Sequence, residues 1–222
     1  MPTLRDNCSR VRSMLKLNSM DILISDRAIA AELRSTALKF IKQQTDRRRL
    51  LASPNIFTTL SCIEMEEVPV SSCCSYQSDC MMAKSKEPLP KLAEGIYGVL
   101  VQGVYSVDKR VSFKQTSPNR YVNMLQLGMK NADRYFWVGT DKYLYITDPN
   151  IELVSIIALF EDDVDFQLYT CDNPPPCPTN PLDLEFKCPG FLESGVVQET
   201  YKTLLETFER TKENRQVDDK EE

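Results

Sequence analysis

The chain contains no histidine. That absence excludes Ser-His and Cys-His activation of a nucleophile and removes the commonest general base near neutral pH. Only a carboxylate- or lysine-based mechanism remains formally open. No apolar run approaches the roughly 20 residues of a membrane helix, so no membrane partner is expected. The opening MPTLRDNCSR is polar from its first residues, which argues against a secretory signal and for an intracellular origin. Eight cysteines are present, but none stands in a C-x₂-C knuckle. In a mid-sized chain without a secretory signal, free reduced thiols are the expectation. Zinc bound by Cys73, Cys74 and Cys80, or by Cys171, Cys177 and Cys188, is the sharper alternative, and the missing knuckles and missing histidine weigh against it.

The 222 residues suffice for one domain with a sizeable core, or one domain with appendages. The net charge of -5 hides a split: residues 1–50 carry 11 Lys and Arg against 5 Asp and Glu, and the remainder 16 against 27. A basic N-terminal segment on an acidic body suits nucleic-acid contact or docking against an acidic protein neighbour.

The densest hydrophobic stretch is Tyr135 to Phe160. It holds the only Trp and three of the nine Tyr, and predicts three consecutive strands. Gly139, Thr140 and Asp141 supply a hairpin turn, with glycine free to take positive φ. Asp148-Pro149-Asn150 reverses the chain again. From Glu152 to about Phe160 both alternating sets are apolar, so both faces of this strand should be covered by protein.

Upstream, Thr3 can cap a first helix whose Leu4, Cys8, Val11 and Leu15 form one seam. Ser25 and Asp26 cap a second, with Ile29, Leu33, Ala37, Phe40 and Ile41 as its buried stripe to about Gln44. Arg47, Arg48 and Arg49 at its end favour a solvated, dipole-compensating terminus over phosphate contact, and no aromatics interleave them as a single-strand platform would need. Ile56 to Met65 should be a strand. Residues 71–92, rich in Ser, Cys and Lys, are read as a long interaction loop. Gly95 to Asp108 returns to strand character, and its glycines fit bulges or tight bends better than a phosphate-binding loop. A short strand over Val111 to Gln115 and a helical turn over Arg120 to Leu127, closed by Gly128, follow.

After the central strands, Asn173 to Pro181 reads as a stiff proline-rich spacer. Leu182 to Phe186 alternates like an edge strand. Ser194 and Gly195 open a final helix with Val197, Tyr201, Leu204, Leu205 and Phe208 on one face, and from Glu209 a charged tail is expected to fray. The fold class is therefore α+β: N-terminal helices (1–50), a central mostly antiparallel β-domain (51–192, with long loop 71–92), and a C-terminal amphipathic helix with charged tail (193–222). Glu161, Asp162 and Asp163 could hold a hard cation, but neighbours on an extended chain point to opposite faces, and a solvated turn is the favoured reading. Catalytic, cofactor-binding and metal-binding residues are none, and no enzyme is expected.

Taken in order, ISDRAIAAELRSTALKFIKQQ, FTTLSCIEMEEV, CMMAKSKEPLPK, YGVLVQGVYSVD and RYFWVGTDKYLYITDPNIELVSIIALFED resemble segments of crAss-like bacteriophage virion structural proteins. The resemblance is to the ring or head-to-tail connector adaptor proteins beneath the portal, and covers about residues 20 to 208. It implies a subunit that meets copies of itself in a closed ring, commonly a dodecamer, around a DNA channel. Its partners would be the portal protein, other tail or ring proteins, and DNA passing without sequence-specific binding. The location would be the virion, assembled in the host bacterial cytoplasm. The alternative is a nucleic-acid-binding regulatory protein that uses the basic N-terminal helices.

Overall fold

The computed structural model describes residues 3–18, 24–46, 56–72, 81–96, 98–127, 134–161, 182 and 186–218. Two compact units emerge. Residues 1–56 and 178–222 form a helical unit, and Phe57–Cys177 forms a β unit between those two stretches.

In the helical unit, α1 spans Leu4–Asn18 and α2 spans Asp26–Asp46, and the last helix, α4, spans Gly190–Asp218. The N-terminal caps foreseen for α1 and α2 are made. Thr3 Oγ1 accepts from Asp6 N at 3.2 Å while the Asp6 carboxylate accepts from Thr3 N at 2.9 Å, which satisfies two otherwise orphaned donors. Ser25 Oγ accepts from Ala28 N at 3.2 Å. The seam Leu4, Cys8, Val11 and Leu15 is buried, as are Ile29, Leu33, Ala37 and Ile41, while Phe40 is half-buried. Gly195 of α4 faces the Phe40 ring. Arg10 pairs with Glu193 at 2.8 Å, and Lys39 approaches Glu199 at 3.8 Å, tying α1 and α2 to α4. The last helix starts four residues before Ser194 and continues through the segment expected to fray, as far as Asp218. Leu192, Val196, Val197 and Thr200 are its buried positions, whereas Tyr201, Leu204, Leu205 and Phe208 are half-buried.

The β unit is a closed barrel. Its strands are β1 (Thr58–Pro69), β2 (Met81–Ser85), β5 (Val101–Ser106), β6 (Ser112–Gln115), β7 (Tyr135–Val138), β8 (Leu144–Ile146) and β9 (Leu153–Ala158), and a small hairpin of β3 (Glu94–Gly95) and β4 (Gly98–Val99) stands outside it. Around the barrel the order is β1-β2-β8-β7-β6-β5-β9, closing on β1. All pairs are antiparallel except β6 with β7. Closure leaves no unpaired strand edge. The long strand β1 serves two neighbours: Thr58 to Glu64 pair with β9 and Met65 to Pro69 with β2. A bulge sits within the β9-paired half, between Leu60 and Ile63, where Cys62 takes φ 58°. A bulge of this kind bends a strand and increases its twist, which a closing barrel requires.

One face of every strand lines the core. Leu60, Ile63, Met65, Ala83, Val104, Phe113, Phe136, Leu144, Ile146, Val154, Ile156 and Ala158 form a single buried cluster. Leu89 and Leu92 enter it from the segment that crosses one end. That segment is tied down by Leu89 N to Lys142 O at 2.8 Å, Ala93 N to Leu159 O at 2.8 Å and Glu161 N to Lys91 O at 2.9 Å.

Two readings need correction. Met81–Ser85, assigned in the sequence to loop 71–92, is barrel strand β2, held between β1 and β8. Asp148-Pro149-Asn150 ends β8 and carries the chain across to the far wall, where β9 pairs with β1 and β5. In the β7–β8 hairpin the positive φ, 66°, falls on Lys142, not on Gly139. Glycine is needed at 139 because a Cβ there would collide with the Asp141 carboxylate and the Tyr145 ring. The bulge expected among the glycines is present, between Val101 and Gly103 of β5. Residues 47–49, 162–163, 173–181 and most of the predicted edge strand 182–186 lie outside the described residues.

Candidate functional site and assembly surfaces

The outward side chains of β2, β7 and β8 build an aromatic surface on the barrel. Because strand side chains alternate, Phe136 and Ile146 point inward while Trp137 and Tyr145, paired across the hairpin, point outward. Trp137 stacks on Tyr145 with ring centroids 5.8 Å apart. The helix α3 (Pro118–Gln126) adds Tyr121, whose ring lies 5.3 Å from that of Trp137. This helix begins with Ser117, whose Oγ accepts from Arg120 N at 3.3 Å, and has proline in its first turn, where no donor is lost. Val70 and Met82 complete the buried part of the cluster, with Val68 and Tyr143 packed against it.

Charges frame this surface. Lys84 Nζ sits 3.9 Å from the Tyr143 ring centroid, within cation–π range. The Tyr145 hydroxyl donates to Asp141 at 2.6 Å. Burial, reinforced by that carboxylate, raises the Tyr145 pKa well above the ordinary phenol value. The ring is thus a neutral, fixed platform.

At the plugged end of the barrel a cleft of about 250 Å³ is lined by Leu89, Leu92, Val99, Val138, Glu94 and Lys142, among others. Lys91 beside it pairs with Glu161 at 2.6 Å. Glu161 is therefore engaged in an ion pair and is half-buried, and its acidic neighbours Asp162 and Asp163 lie outside the described residues. Among the described residues no group of three or more metal-ligating side chains comes together. No helix among them is long and apolar enough to cross a membrane.

The cysteines divide. Cys8 and Cys188 are buried free thiols. Burial pushes the Cys188 pKa up to about 12, with Glu193 adding to the shift, and raises that of Cys8, with Asp26 adding. Both are packing residues rather than reactive ones. Cys62 departs from the expected free thiol: it is disulfide-bonded.

What remains exposed and apolar is concentrated on a few elements. Leu127 at the end of α3 is 71% exposed, Ile96 at the tip of the β3–β4 hairpin 79%, and Phe191 at the start of α4 69%. Sequence periodicity missed the aromatic surface because Trp137 and Tyr145 read as core. They are buried, but on the outer wall, under a helix too short to hide its own apolar side chains.

Residues 8–222 match the family model described as phage tail ring protein 2. The chain belongs to this crAss-like phage ring family. No curated protein matches it. As a phage tail ring protein it is a structural component of the virion, and it assembles with other phage proteins.

Proposed function

We propose that the chain is a structural subunit of a portal-proximal ring in the phage head–tail connector. Copies of it close into a ring, a dodecamer, around a channel through which DNA passes without sequence-specific contact. The portal protein and other tail or ring proteins are its neighbours above and below. It works as a scaffold without catalytic apparatus. The observation that carries this reading is the family match over nearly the whole chain. The architecture supports it: a closed barrel resists edge-to-edge aggregation, so contacts between copies are left to designated surfaces. The test is cryo-electron microscopy of the intact particle. The chain is expected as a ring directly beneath the portal, and its absence from particles, or a position remote from the portal, would defeat the proposal.

A further inference from the structure

The barrel carries two apolar outer surfaces on different walls. The first is α3 on β7 and β8. Its Tyr121, Val122, Met124 and Leu125 are all only half-buried, no residue of the helix is buried, and Leu127 beyond it is 71% exposed. The second is the outer face of β5 and β9. There Leu153 of β9 is 41% exposed and Val107, in the turn directly after β5, 42%; Ser106 pairs with Val154, so the two flank the last rung of that pairing, near half-buried Tyr105 and Ile157. Counting round the barrel, β9 is three strands from both β7 and β8.

We propose that these are the two sides of one subunit contact: α3 of one copy seats on the β5–β9 face of the next. The proposal rests on the ring reading above and specifies its interface. Closed rings need heterologous contacts, in which two different surfaces of the same chain meet. A single self-complementary patch would stop at a dimer. Surfaces on different walls let each copy be engaged from both sides.

Charge identifies the occupant as another copy. Arg120 is the only charged residue of α3 and is exposed; Glu152, next to Leu153, is exposed too, and neither has an ion-pair partner among the described residues. On the second surface Asp108 and Arg110 already pair with each other at 3.5 Å, and Lys109 stands exposed at the tip of that turn. A cation at the rim of one apolar surface and an anion at the rim of the other is the complementarity that a head-to-tail contact uses to set orientation.

The test compares Leu127→Asp with Leu153→Asp on the full chain, by mass photometry and analytical ultracentrifugation across a concentration series. Both sites are exposed, so Trp137 fluorescence melts should match those of the wild type. Each variant should need on the order of tenfold or more higher concentration to assemble, as central contact residues do. An equal mixture of the two should give dimers that do not extend, since one intact pair of surfaces survives. Rings from both variants at wild-type concentrations would overturn the surface assignment and leave the ring reading standing. Loss of assembly with no dimers in the mixture would overturn the pairing of these two surfaces. A wild-type chain that stays monomeric throughout would count against the ring reading itself.

Discussion

Replacing Ile156 with alanine tests the barrel's inside–outside assignment when set against the same change at its neighbour. Ile156 is fully buried on β9, opposite Leu60 of β1 on one side and Val104 of β5 on the other, so it lies where the barrel closes. Removing three carbons forfeits about 2.4 kcal/mol at ~0.8 kcal/mol per buried methylene. The unfilled space among inward side chains adds to this, for a total of about 3 to 4 kcal/mol, within the usual range of large-to-small core changes. Ile157 points outward, opposite Thr59 and Gly103, and is half-buried. Alanine there should cost about 1 kcal/mol, because only part of the side chain leaves a dry environment. The unit Phe57–Cys177 has roughly 120 residues, which gives an unfolding entropy of about 0.25 kcal/mol/K. The expected Tm losses are thus about 12 to 16 °C for Ile156→Ala and about 4 °C for Ile157→Ala. Trp137, the only tryptophan, lies in this unit and reports its melting by fluorescence in dilute, unassembled samples. Equal losses for the two variants, or a larger one at 157, would refute the alternation on β9.

Three further outcomes follow from particular contacts. Gly139→Ala should lower the Trp137-monitored Tm by an amount equivalent to about 1 to 3 kcal/mol, since the added methyl displaces Asp141 and the Tyr145 ring; an unchanged Tm would show that the hairpin yields freely. Thr200→Val should leave stability unchanged or raise it by about 1 kcal/mol in a far-UV CD melt, because the Thr200 hydroxyl is buried with no partner among the described residues and an apolar group of the same shape removes its desolvation. A clear loss would mean that the hydroxyl is satisfied in solution. Stability should also decline as pH rises from about 9 to about 12. Over that window the folded state keeps the Cys188 proton, with a pKa near 12, while the unfolded chain, with an ordinary thiol pKa of 9.0, releases it, so the unfolded state gains. Cys188→Ala should flatten that part of the urea-monitored pH profile.

Much of this architecture is legible from local pattern. The helices α1 and α2 announce themselves through single apolar seams and capping side chains, both local features, and β7, β8 and β9 through dense β-branched and aromatic runs. The β2 strand was not legible: MMAKS lacks β-branched residues, and its place in the sheet is fixed by β1 and β8, which are distant in sequence. The destination of β9 was hidden for the same reason. Apolar character on both its faces correctly signals cover on both sides, but says nothing about which strands lie beside it. The outer aromatic surface is a third case, since burial on a barrel wall and burial in its core demand the same residue types.

The insertion of the barrel between the two halves of the helical unit has a consequence for synthesis. On the ribosome α1 and α2 emerge first and α4 last, with every strand of the barrel in between. The barrel can close while α1 and α2 still lack the helix that covers their stripes of Leu, Ile and Val. The last helix to be translated thus completes the first unit begun, and a nascent chain whose α4 has not yet emerged can hold a finished barrel while its first two helices still have an uncovered apolar side, a species open to capture by chaperones or by premature self-association.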